Sequence, residues 1–242
     1  MGMTASATSG WKPKVGGLTF DAEGQEGGVY HSRKLHYPGG ASGVTLGRGY
    51  DLKTRTAAGV VKDLTAAGVD PVTANKIAKG ATLSGAAAAA FKDNAEVNGI
   101  EISPEVQVKL FDIAYKEKSD DAQRLATKAD VTEKYGKTDW ATLHPAIREM
   151  LADLNFRGDY AGATRTFLQA SVVRNDLPAF AALISDPTRW KGVPPDRFNR
   201  RSKFIQEALA VWRKTNPATA AGTALPKAGM ANITKLPPIG HR

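Results

Sequence analysis

Three side chains in the first quarter of the chain could do chemistry together: Glu26, Thr45 and Asp51. Two carboxylates on separate elements are what hydrolysis of a glycosidic bond requires. One protonates the leaving oxygen; the other activates water or attacks from the opposite side of the sugar. Other chemistries find less support. With no cysteine in the 242 residues, thiolate nucleophiles and Cys-ligated zinc are excluded. Of the four histidines only His31 and His36 are close in sequence. No HExxH spacing, GxSxG elbow or GK[ST] phosphate loop is present. The reading therefore carries no metal and no cofactor.

Alternation sharpens the set. In Val44–Leu52, read as a straight strand, Thr45, Gly47, Gly49 and Asp51 share one face while Leu46, Arg48 and Tyr50 share the other. Two glycines between a hydroxyl and a carboxylate would leave a bare strip suited to a saccharide ring and a water. The competing interpretation is that the glycines mark a bulge or close helix packing. Glu26 sits where a short helix from Thr19 would end, before Gly27-Gly28. Glu23, one helical turn earlier, is its rival for the acid role. His31 and Arg33 have no assigned role.

The elements that must position these residues are mostly helical. Pro38-Gly39-Gly40 marks a turn, so Tyr30–Leu52 reads as a hairpin or small sheet. Helices are expected after Thr54 or Thr56, Asp70-Pro71, Ser84, Ser103-Pro104, His144-Pro145, about residue 160, Asn175 or Asp176, and Pro195. The segment from Ser103 is long, with a break placed near Lys118 to Asp121. The fold class is α+β, mostly α, with the sheet confined to one end. Residues 1–17 read as a flexible arm and 215–242 as a disordered tail, flanking one domain over 18–214.

Net charge is +9, which suits a polyanionic partner. The basic residues are dispersed, Arg200-Arg201 being the one adjacent pair, so a nucleic-acid interface is disfavoured. No run is long and apolar enough for a membrane span, and the N-terminus lacks the apolar core of a Sec signal.

The pattern Glu26-Gly27-Gly28, then Tyr37-Pro38, then Ser42-Gly-Val-Thr-Leu-Gly-Arg-Gly-Tyr-Asp-Leu52 resembles the pesticin-type branch of the phage-lysozyme-like superfamily. That branch includes bacteriocin toxin domains, phage endolysins and type VI secretion effectors. The runs Asp139–Tyr160 and Asn175–Trp212 resemble the helical second lobe of such proteins, so the resemblance covers about 18–213 and is specific over 26–52. It implies a lysozyme-like two-lobe fold, with a β-containing lobe over about 18–70 and a helical lobe over about 71–214. It also implies cleavage of the β-1,4 bond between N-acetylmuramic acid and N-acetylglucosamine. Glu26 takes the general-acid position, Thr45 the hydroxyl that holds water, and Asp51 the carboxylate that stays ionised. Burial of Glu26 in a cleft is expected to raise its pKa. In phage lysozymes proper the aspartate precedes the threonine; here it follows. Arg157, beside Asn155 and Gly158, is the candidate substrate-binding residue, against a plain role as a helix C-terminal cation. The implied partner is bacterial peptidoglycan, with an immunity protein in the producer if the chain is a secreted effector. Delivery would be by a holin lesion or a secretion system. The alternatives are a non-catalytic peptidoglycan-binding module of the same fold, a hydrolase of another sugar polymer such as chitin, and a basic nucleic-acid-binding protein.

Overall fold

The computed structural model describes residues 11–28 and 31–217. The first ten residues of the expected arm, Tyr30, and residues 218–242 of the expected tail lie outside these.

Local signals start several of the helices. The Thr56 hydroxyl accepts the Gly59 N–H at the head of α2 (Ala57–Ala67), and Gly68 ends it in the left-handed conformation. Asp70 caps α3 (Pro71–Ala78) through the Thr73 N–H, with proline at the first position where no donor is missed. After α4 (Gly85–Lys92), Ser103 caps α5 (Pro104–Thr127) through Val106. Then follow α6 (Ala129–Tyr135), α7 (Pro145–Arg157), α8 (Gly162–Val173), α9 (Leu177–Ile184) capped by Asp176, and α10 (Pro195–Thr215). The sheet is one antiparallel pair, β1 (Thr45–Leu46) and β2 (Tyr50–Asp51). The chain is thus mostly helical with a small β element near its N-terminal end.

Three expectations change. The first helix, α1, spans Gly17–Ala22 and starts after Gly16. Thr19 lies inside it, and its hydroxyl donates to Asp153 in α7 at 3.0 Å instead of capping the helix. Glu26 consequently lies beyond the helix end, on a loop. Second, α5 runs unbroken through Lys118–Asp121. Its polar stretch is tied by Lys116–Asp120 and Asp121–Arg124 pairs, and Asn155 donates to the Lys118 carbonyl and to Asp121. Third, Thr45–Asp51 is a hairpin, not a straight strand. It reverses through Gly47, Arg48 and Gly49, and Thr45 stands directly opposite Asp51.

Buried apolar residues form two main clusters. One joins the hairpin residues Leu46 and Tyr50 to α2, α3, α4 and the start of α5 through Leu110. The other joins the end of α5, through Ala122 and Ala126, to α7, α8, α9 and α10. Phe20, Phe111, Tyr115 and Ala152 form a smaller cluster of their own, which α5 shares with α1 and α7. The 24-residue α5 therefore passes through every part of the core.

The hairpin turn is pressed onto α7. A β-carbon at Gly49 would stand 2.4 Å from Cζ of Phe156, and its φ is +91°. A β-carbon at Gly47 would meet Gln107 of α5 only at ordinary distance, 3.7 Å, so Gly47 is required by its φ of +65° in the turn. One glycine serves close helix packing and the other the reversal, so the bare saccharide strip does not exist as expected. Gly49→Ala must both overpack the Phe156 contact and hold a left-handed backbone, at a cost on the order of 2 kcal/mol. Thermal unfolding should register this as a melting temperature several degrees lower.

Candidate functional site

Glu26 is carried by a loop that closes on itself. The Ser32 N–H donates to the Gln25 carbonyl at 2.9 Å, and the Gly27 N–H donates to Nδ1 of His31 at 2.8 Å. Gly27 and Gly28 both have positive φ, at +79° and +71°, and a β-carbon at Gly27 would meet nothing within 4 Å. Glycine here permits the turn and leaves open space beside the carboxylate. That space is a cleft of about 490 Å³ lined by Glu26, Gly27, Gly28, His31, Arg33, Lys34 and Glu101.

Three elements supply donors to the Glu26 carboxylate. Gln107 of α5 donates to Oε1 at 2.7 Å, Arg48 of the hairpin turn to Oε1 at 3.2 Å, and Arg33 to Oε2 at 2.9 Å. Gln107 is only 2% exposed, and the Ser32 hydroxyl donates to its amide oxygen at 2.7 Å, which turns its NH₂ towards Glu26. Arg48 is anchored in turn: it donates to the Phe20 carbonyl at 2.6 Å and lies 4.2 Å from the Phe20 ring centroid. Burial pushes the Glu26 carboxyl up, but the hydrogen bonds from Gln107, Arg33 and Arg48, with the Arg33 charge, outweigh it. The net pKa lies below the ordinary 4.5. The expected upward shift is thereby reversed: the carboxylate is surrounded by donors, and in the free protein Glu26 is held as a carboxylate.

Arg33 binds a second acid. Its Nη1 lies 2.7 Å from Oε1 of Glu101, and Nε2 of His31 is 3.0 Å from the same oxygen. Because Nδ1 of His31 accepts from Gly27, the hydrogen-bond pattern puts the ring proton on Nε2, donating to Glu101. The His31 hydrogen bond, followed by the Arg33 charge, holds the Glu101 carboxyl below its usual value against a desolvation contribution that raises it. Among the described residues, no three of His, Asp and Glu come together as a metal-binding group.

Thr45 and Asp51 face each other across the hairpin, so they do share a side, through cross-strand register rather than strand parity. Thr45 is 7% exposed, and its backbone pairs with His36. Asp51 accepts the Lys53 N–H at 2.9 Å. Neither is among the residues lining the Glu26 cleft; the hairpin reaches Glu26 through Arg48. Arg157 is also elsewhere: at the end of α7 it pairs with Asp159 at 2.6 Å and donates to the Gly192 carbonyl at 3.0 Å. Glu23 pairs with Arg197 of α10 at 2.6 Å, which ties it to the packing of α1 against α10 and away from the acid role.

Residues 16–202 match a domain of unknown function, DUF8812. The match spans most of the chain and every residue of the cleft, and the protein belongs to this family. No curated protein matches the sequence.

Proposed function

We propose that the protein is a peptidoglycan hydrolase that cleaves the β-1,4 bond between N-acetylmuramic acid and N-acetylglucosamine, with Glu26 as the proton donor. The observation that carries this is the Glu26 carboxylate itself. It stands beside a glycine-opened cleft, fixed by donors from α5, the hairpin turn and the segment at Arg33. Such a fixed carboxylate in a concave, polar site suits a saccharide. We read the two apolar clusters joined by α5 as the two lobes of a lysozyme-like fold. The positive net charge, +9, suits the anionic wall. As an endolysin or a secreted antibacterial effector, the protein would meet its substrate after delivery through a holin lesion or a secretion system. An effector would have an immunity protein as its second partner. In this reading Thr45 and Asp51 keep the roles that the family pattern implies, holding and polarising water, once substrate is bound.

One observation favours a second reading. Glu26 is already neutralised by Arg33 and Arg48, as in a site built to bind rather than to donate protons, and a wall-binding module of the same fold would need no more. Digestion of purified peptidoglycan separates the two. The hydrolase releases new reducing ends, whose anomeric configuration shows inversion if water attacks directly. Wall that co-sediments with the protein yet yields no reducing ends establishes the binding module instead.

A further inference from the structure

We infer that Glu101 is the second carboxylate of the site and that the substrate-binding groove continues past it, so that a polymeric glycan is bound across Glu101. The inference rests on the hydrolase reading above and changes which acid works opposite Glu26.

Geometry favours Glu101 over Asp51. Arg33 donates through Nε to Glu26 at 2.9 Å and lies through Nη1 at 2.7 Å from Glu101. Two carboxylates held by one guanidinium stand side by side in one cleft, as the paired acids of a glycosidase must. Asp51 has no such link to the cleft. The position of Glu101 is set by backbone pairing: Lys34 and Glu101 form an antiparallel bridge, and the Ile102 N–H donates to the Arg33 carbonyl at 3.0 Å. The segment bearing Arg33 and the one bearing Glu101 are therefore held in register with each other. His31, with its proton on Nε2, holds the Glu101 carboxylate from the Glu26 side.

A second observation is independent of these contacts. Beyond Glu101 lies another depression, of about 380 Å³, bordered by Asp70, Thr73, Ile100, Ile102 and Ser103 among others. Glu101 is the one described residue that lines both depressions. A ligand occupying both must cross it, which suits a chain of sugars better than a single small molecule. The second depression sets the part-exposed Ile100 beside Thr73 and the capping side chains of Asp70 and Ser103, an apolar patch with polar groups around it.

The step balances as follows. Protonated Glu26 gives its proton to the glycosidic oxygen as the C1–O bond breaks. Glu101 takes a proton from water as the water oxygen bonds to C1. Glu26 ends ionised and Glu101 protonated, and exchange with solvent restores both.

The test uses the full chain and purified peptidoglycan, with reducing ends as the readout. E101Q, D51N and E26Q are compared for activity, thermal midpoint and co-sedimentation with wall. E101Q is expected to lose about 100-fold or more in rate while keeping its thermal midpoint and wall binding. Glu101→Ala is expected to recover turnover with added azide, which attacks C1 in place of activated water and leaves a glycosyl azide, detected by mass spectrometry of the released fragments because it carries no reducing end. A purely structural role for Glu101 would give no such product. E101Q within about threefold of wild type, beside an inactive E26Q, overturns the assignment and returns the role to Asp51. Loss of activity in E101Q with a lowered midpoint and no azide rescue of Glu101→Ala also overturns it. Full activity in E26Q strikes instead at the hydrolase reading itself.

Discussion

Glu26→Gln is expected to abolish wall lysis, by about 10²–10⁴-fold, the usual worth of a positioned general acid, while leaving the fold in place. The amide has the shape of the carboxyl and its oxygen can keep the bonds from Gln107 and Arg48. Arg33 loses one acceptor but retains Glu101 and the Ile102 carbonyl. The variant should therefore melt close to wild type, and its inactivity would be chemical. The pH dependence follows from the direction of the Glu26 shift. A donor must be protonated, and this carboxyl lies below the ordinary 4.5, so the reactive fraction shrinks as pH rises. Lysis by the wild type should therefore increase from neutral pH down towards the carboxylate range. Stability moves oppositely. With a depressed folded pKa, the hydrogen bonds to Glu26 contribute stability that is fully present above about 4.5 and drains as pH falls through the folded value. Wild type should lose stability over that acid limb and Glu26→Gln should lose less. Turbidity loss of purified walls, followed with thermal midpoints from pH 3.5 to 8, checks both. A wild-type lysis rate that rises from pH 5 to 8 would contradict Glu26 as donor.

The sequence announces its helices because their ends are decided locally. A capping side chain at Thr56, Asp70, Ser103 or Asp176 needs only the N–H three residues on. A glycine such as Gly68 or Gly158 needs only its own backbone. A hairpin or small sheet was legible over residues 30–52, but the place of its turn was hidden from alternation for a specific reason. Strand parity and a reversal through Gly47-Arg48-Gly49 both place Thr45 and Asp51 on one side, so alternation cannot distinguish them. The start of α1 was obscured because Thr19 uses its hydroxyl on a partner in α7, far along the chain. The site divides in the same way. Glu26 and its two glycines form a contiguous motif and are visible as one. Gln107 reaches the Glu26 carboxylate from α5, Glu101 lines the cleft from the segment before that helix, and nothing in their own neighbourhoods marks them. Glu101 precedes the Ser103-Pro104 helix start and looks like an ordinary exposed acid. Arg48 sits inside the recognised motif, but its role depends on the turn that alternation concealed.

Removing the Asp153 carboxylate should be the most damaging single change to stability. Asp153 is fully buried. It accepts from Nη2 of Arg197 and Nε of Arg201, each at 2.6 Å, and from Thr19 at 3.0 Å. Arg201 is itself 1% exposed and reaches on to Asp159 at 2.7 Å, while Arg197 reaches Glu23 at 2.6 Å. One carboxylate thus binds α1 and α10 to α7. Asp153→Ala strands two buried guanidinium groups around a missing partner, an effect worth about 3–5 kcal/mol. At about 2–4 °C per kcal/mol for a domain of this size, the melting temperature should fall by roughly 6–20 °C. Glu23→Gln, which alters only the more exposed arm of the network, should cost far less. The cost of Asp153→Ala lies in the unpaired charges rather than in any intrinsic worth of the pair. Replacing the cluster together, with Asp153→Leu, Arg197→Met, Arg201→Met and Glu23→Gln, should therefore recover much of the loss, as apolar replacement of buried ion clusters can, Asp159 keeping Arg157 as its partner. A combined variant as unstable as Asp153→Ala would mean that hydrogen-bond geometry, not charge balance, seats α1. Lysis by that variant adds a functional readout: α1 leads directly into the loop carrying Glu26, so a repacked but shifted α1 would restore melting without restoring activity.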